Sequence, residues 1–167
     1  MIIGAFGDSF LFGSDLNDVI TDGSCDAMRA SKLTYPALVA KWLELDYYCT
    51  AMPGQGNKVI ADDILRSIAM RGNTVFYFIN WSWIDRLDYI GSENIAAVEN
   101  AWCTTRPDSA TCIGKFFYKH LYCDFDAKLQ NLIYINNVVN ELVHNKCKFF
   151  MTYMDDLLFD NVYHSSY

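Results

Sequence analysis

The stretch Met1-Ile2-Ile3-Gly4-Ala5-Phe6-Gly7-Asp8-Ser9-Phe10 decides the fold. Its apolar run leaves no room for alternation and ends abruptly in Gly-Asp-Ser. A strand without a polar face is one buried on both sides, as in parallel sheets. The run therefore reads as a strand from Met1 to Phe6, followed by a tight turn. That turn holds the Ser9 hydroxyl at the strand's carboxyl end, the edge where open α/β sheets bind ligands. Gly7 supplies a backbone freedom that other residues lack. Ser9 is placed for attack or for hydrogen bonding; equally, Asp8 and Ser9 suit the plain task of capping backbone groups in a turn.

Outward from this start, strands and helices alternate. Residues 11 to 32 are rich in Gly, Ser, Asp and Asn and read as a long loop, of the kind that often lies over a site. Thr34 and Pro36 mark a helix start, and Leu38, Val39, Trp42 and Leu45 form a stripe expected to pack on the sheet. Tyr47 to Ala51 reads as a second strand. Met52-Pro53-Gly54-Gln55-Gly56-Asn57 is a tight loop, with Asn57 capping a helix from Lys58 to Met70 that stops at Gly72. A glycine-rich turn at a helix start can offer N–H groups to an anion or a developing oxyanion, or be only a turn. Thr74 to Ile79 is a third, doubly buried strand. It runs into Asn80-Trp81-Ser82-Trp83-Ile84-Asp85-Arg86, whose tryptophans suit either a cleft or the core. Residues 88 to 114 pattern poorly; Ile95 to Trp102 has a helical cast, and Arg106-Pro107-Asp108-Ser109 is a turn. Asp126 to His144 is one long helix, and Lys148 to Met154 the last strand. His120 and His144 lack a partner pattern and read as structural or surface residues. The alternation predicts one domain over 1–167, a parallel sheet sandwiched by helices. The loops around Ser9, Gly54 and Asn80 all leave carboxyl strand ends and converge on one edge.

Composition narrows the classes. With 167 residues, 52% hydrophobic and 20% charged, the chain can bury a real core and is not a disordered polymer. A net charge of −7, with Lys and Arg scattered, argues against a nucleic-acid surface. No apolar run approaches the ~20 residues of a membrane span. The start lacks a basic segment and a cleavage site, so a cytoplasmic protein is expected. The six cysteines have no C-x-x-C pair and fit neither a zinc site nor a disulfide framework, so reduced thiols are expected. No metal or other cofactor is implied.

The residues at the three loops resemble the SGNH (GDSL-like) hydrolases. Gly7-Asp8-Ser9-Phe10 is similar to the family's first block, with Ser9 at the nucleophile. Ala51-Met52-Pro53-Gly54 resembles the second, whose glycine N–H joins the oxyanion hole. Val75 to Ile79 with Asn80-Trp81-Ser82-Trp83 takes the place of the third block, Gly-x-Asn-Asp; here Asn80 stands at the glycine and Ser82 at the asparagine. The combination is especially similar to SGNH-type proteins encoded by bacteriophages, for which a host cytoplasm is the implied setting. The resemblance implies a three-layer α/β/α sandwich with a mostly parallel, flavodoxin-like sheet of about four to five strands. It also implies hydrolysis of a small-molecule or carbohydrate ester, such as an O-acetyl sugar, with Asn80 or Ser82 as oxyanion donor. The family's last block, Asp-x-x-His, has only a one-residue-longer counterpart in Asp160 and His164. Either His164 is the base with Asp160 orienting it, or the base lies beyond residue 167, the reading favoured here. Two rivals stand beside the esterase: an SGNH-fold domain that binds a glycan or protein through Trp81, Trp83 and Tyr89, and phosphoryl chemistry at Asp8.

Overall fold

The computed structural model describes residues 1–19, 29–91 and 101–155. In chain order the elements are β1 (Ile2–Phe6), α1 (Ser9–Phe12), α2 (Tyr35–Trp42), β2 (Asp46–Cys49), α3 (Asn57–Arg71), β3 (Val75–Trp81), β4 (Leu87–Ile90), β5 (Trp102–Thr105), α4 (Cys112–His120), α5 (Asp124–His144) and β6 (Lys148–Tyr153). The main sheet runs β2-β1-β3-β6, and every neighbouring pair is parallel. This is the α/β architecture the alternation predicts. β1 and β3 hold the centre, which explains why neither sequence alternates.

The period of two sorts side chains onto opposite faces. Phe6, Tyr77, Ile79 and Trp81 face one side and pack with Ile60, Ile64 and Ile68 of α3 and Val138 and Leu142 of α5. Ile60 and Ile64 are fully buried, which is worth about 1.5–3 kcal/mol for each side chain. On the other side Ile3 and Phe78 meet Ala40 of α2, and Ala5 meets Leu11 and Phe12 of α1.

Several boundaries differ from the sequence reading. Leu11 and Phe12 belong to α1 and are buried, not part of the long loop expected from residue 11. The expected α2 stripe holds in part: Val39 and Leu45 pack against the Ile3 and Phe78 cluster, but Leu38 and Trp42 are exposed, Trp42 at 82%, while Pro36, Ala37 and Ala40 face inward. A short helix lying close to the sheet has room for alanines there and not for an indole. Thr34 sits at the N-cap position, but its hydroxyl makes no cap bond. Gly72 closes α3 at φ +54, as its position suggested. β3 extends through Asn80 and Trp81. Trp102 is not helical but opens β5, which pairs antiparallel with β4 through Ile90↔Trp102; residues 95 to 100 of that expected helix lie outside the described residues. The poorly patterned stretch thus holds a hairpin. α5 begins slightly before the expected Asp126. Among the described residues no helix is long and apolar enough to cross a membrane.

Candidate functional site

The loops after β1, β2 and β3 do meet at the carboxyl edge, and what they meet around is Asp8. β1 ends against both neighbours: the Ala5 carbonyl accepts from Thr50 N–H at 3.0 Å and the Gly7 carbonyl from Met52 N–H at 3.2 Å. A Cβ at Gly7 would come within 2.8 Å of the Asn80 carbonyl oxygen. Gly7 is therefore required by close approach; positive φ among the described glycines occurs at Gly13, Gly54 and Gly72.

This wedge buries Asp8 completely. A buried carboxylate must be paired and hydrogen-bonded. Its Oδ1 accepts from Phe10 N–H at 3.1 Å, capping α1, and from Asn80 Nδ2 at 3.3 Å. Its Oδ2 accepts from Ser82 Oγ at 3.0 Å and lies 3.4 Å from Arg86 Nη1. The same Nη1 donates to the Gln55 carbonyl at 2.7 Å, tying the loop after β2 to the loop after β1. Asn80 and Ser82 are buried, and their donors serve Asp8. In this geometry the Ser82 hydroxyl and one N–H of Asn80 are directed to the Asp8 carboxylate, so for a substrate oxygen to take those donors it would have to displace it.

The loop after β3 is fixed by a second polar chain. Asn57, expected as the α3 cap, is the first residue of that helix, and its amide pairs with the Ser82 backbone (Nδ2 to O 2.9 Å, Ser82 N–H to Oδ1 2.6 Å). Asn57 Nδ2 also donates to Asn131 Oδ1 at 2.6 Å, and Asn131 donates to the Ile84 carbonyl at 3.2 Å. Ile84 N–H donates to Asp155 at 2.7 Å. The cap of α3 comes instead from Asp88 on β4, which accepts from the N–H groups of Gly56 (3.1 Å), Lys58 (3.0 Å) and Val59 (3.1 Å). The start of α3 is thus occupied by a carboxylate and is not free for an anion. Burial raises the Asp88 pKa against these bonds, which lower it.

Ser9 is half-buried in the first turn of α1. Neither its Oγ nor its N–H bonds to a described residue. Gly54, at φ +85, has open space where a Cβ would be, and its N–H likewise lacks an acceptor among the described residues. The turns carrying these groups are joined by the Met52–Gly7 bond and by Arg86. Phe10, 62% exposed, flanks them.

No described histidine supplies a base. The exposed His120 packs on Phe116, 5.0 Å between ring centroids. His144 ends α5 just before β6 begins, which puts it at the amino edge of the parallel strands, opposite Ser9. Asp160 and His164 lie outside the described residues. Trp81 is fully buried and its Nε1 donates to Met151 Sδ at 3.4 Å, so it cannot line a cleft. Trp83 is 39% exposed and lines a cavity of about 370 Å³ with Asp85, Arg86, Arg106, Pro107 and Asp108. A second, of about 210 Å³, lies between Arg86, Phe117, Tyr122 and Tyr134. The Tyr118 hydroxyl spans the carbonyls of Asp85 and Thr105, bracing these loops; burial pushes its pKa up to about 12. Among the described residues no His, Cys, Asp and Glu cluster could hold a metal.

Sequence reasoning missed the roles of Asp88, Arg86 and Asn131. Arg86 and Asp88 are single residues in stretches without periodicity, Asn131 is a polar residue within the periodic α5, and only the fold brings them to the loops they serve. No family model matches this chain, and no curated protein or solved structure matches it either.

Proposed function

We propose that this chain is a serine hydrolase of the SGNH type that cleaves an ester through Ser9. The observation that carries the reading is the Ser9 hydroxyl, bonded to no described residue, at the carboxyl end of a central parallel strand and on a turn braced by a buried network. In the reaction Oγ attacks the ester carbonyl and its proton passes to a base. The oxyanion receives the N–H groups of Ser9 and Gly54, and collapse expels the alcohol; water then releases the acid from the acyl-serine. Each oxyanion donor is typically worth about 100- to 1,000-fold in rate. Within the chain the candidates for the base and its orienter are His164 and Asp160, both outside the described residues. The substrate is a small-molecule or carbohydrate ester, and the setting the cytoplasm, where thiols such as Cys103 stay reduced. The test is labelling by a fluorophosphonate together with aryl acetate hydrolysis. Wild type should label and turn over; Ser9→Ala should do neither while keeping its Tm. Equal turnover by Ser9→Ala would remove Ser9 from the chemistry.

A second reading is a domain of the same fold that binds a ligand without turning it over. It is favoured by the engagement of Asn80 and Ser82 with Asp8 and by the placement of both described histidines, His120 and His144, away from Ser9. A folded wild type that neither labels nor hydrolyses would select it.

A further inference from the structure

Arg86 does more than pin Asp8. Its side chain is only 10% exposed, and Nη1 is spent on Gln55 and Asp8. Nε and Nη2 donate to no described residue. Yet neither is sealed: Ser14 Oγ alone is a buried, partnerless side-chain polar atom among the described residues. That edge of the guanidinium has no partner among the described residues, and both cavities described above count Arg86 among their walls.

In the cavity of about 370 Å³ Arg86 is joined by Arg106 from the turn between β5 and α4. Arg106 Nε donates to Asp108 at 2.7 Å, which offsets that carboxylate and leaves the Nη groups for another acceptor. A guanidinium edge presents parallel N–H donors, and the group that accepts from both at once is a planar or tetrahedral oxyanion. A neutral hydroxyl accepts from one and leaves the other unsatisfied in a partly desolvated site, a costly arrangement. Trp83 adds an apolar wall for whatever carries the anion. Opposing it, Asp85 lines the same space.

We propose that this cavity binds an oxyanion group, a carboxylate or phosphate monoester on a small organic body. The Arg86 edge and Arg106 receive the anion, and Trp83 the body. The site does not depend on turnover at Ser9, so its binding stands or falls apart from the hydrolase reading.

The experiment titrates the whole chain with inorganic phosphate, benzoate and phenyl phosphate at constant ionic strength, read by tryptophan fluorescence and amide NMR shifts. Saturable binding is expected, tighter for an aryl anion than for phosphate. Tighter benzoate would assign the carboxylate, and tighter phenyl phosphate the phosphate monoester. Arg86→Lys should weaken it about tenfold or more, because the charge remains and the fork is lost. Arg106→Ala should weaken it severalfold, Asp85→Asn should tighten it, and Ser9→Ala should leave it unchanged. Should Arg86→Lys fail to fold, the Arg106 and Asp85 variants carry the test, since both residues lie at the cavity rim. Absence of saturable binding for all three anions overturns the proposal, as do unchanged affinities in both rim variants.

Discussion

Asp8 shows how one residue can matter more than the one its motif advertises. The Gly-Asp-Ser signature draws attention to Ser9, but the buried group that the loops converge on is the preceding carboxylate. Its substitution tests that ranking. Asp8→Ala strips the cap of α1, leaves Asn80 and Ser82 donors unmet and deprives the buried Arg86 of its counter-charge. Removing one partner of a buried pair costs about 3–5 kcal/mol. Chemical denaturation should show a loss near the lower end, because the contact to Arg86 is long. A loss below about 1 kcal/mol would mean the network is not a stabilising centre. Asn57→Ala makes a parallel case: it orphans the Ser82 N–H and carbonyl and one Asn131 oxygen. About 2–3 kcal/mol is expected from denaturant unfolding, since buried groups left unpaired cost about 1–3 kcal/mol each.

At the scale of elements, the hairpin β4–β5 acts as a clamp on α3. Asp88 reaches from β4 to the first turn of the helix, and Gly56 makes room for it: a Cβ there would lie 2.5 Å from Asp88 Oδ2. Two variants follow from one geometry. Gly56→Ala should destabilise by about 1–3 kcal/mol through overpacking against a carboxylate that cannot retreat. Asp88→Ala should cost about 1–2 kcal/mol, the upper range for a lost cap. Combined, they should cost less than the sum, because Asp88→Ala clears the space the new methyl needs. Thermal melts of the three proteins read the coupling, and strict additivity would break the clamp picture. This clamp also marks where sequence reading ran out. β1, β3, α3 and α5 announce themselves by apolar period, since burial dictates their residues at every turn. The hairpin does not: Leu87 and Tyr89 are half-buried and Ile90 is exposed, so the polar Asp88 is the buried member of the strand. A strand whose innermost residue is an acid defeats any rule built on hydrophobic alternation. For the same reason the loop positions around Ser9 and Gly54 were legible from their glycines, while Arg86, Asn131 and Asp155 became partners only through the fold.

Across the whole molecule, three partly or fully buried acids favour their protonated forms. The chain carries a net charge of −7, and burial holds three of its acids, Asp63, Asp85 and Asp88, above their ordinary pKa. Burial pushes Asp63 up to about 6, against a weak bond from Gln55 that lowers it. Burial is also the leading cause at Asp85, where Asp155 adds repulsion, and at Asp88. An acid whose pKa is higher folded than unfolded binds its proton more tightly when folded. Its contribution is complete below the unfolded value of 3.8 and is lost as pH climbs through the folded value of about 6. The Asp63 contribution should therefore fall between about pH 4 and pH 6.5 and stay lost above it, opposite in sign to the usual carboxylate. A full shift of this size on an isolated group would be near 3 kcal/mol; discounting for the solvent that reaches Asp63 leaves about 1 kcal/mol. For a chain of this length that is about 2–4 °C in Tm. Asp63→Asn keeps the shape, cannot ionise, and should raise Tm at pH 7.5 by about that amount while changing little at pH 4.5. Melts at both pH values decide it: an equal gain at the two would mean the substitution improves packing, and no gain at pH 7.5 would mean the Asp63 carboxylate is fully hydrated in the folded chain.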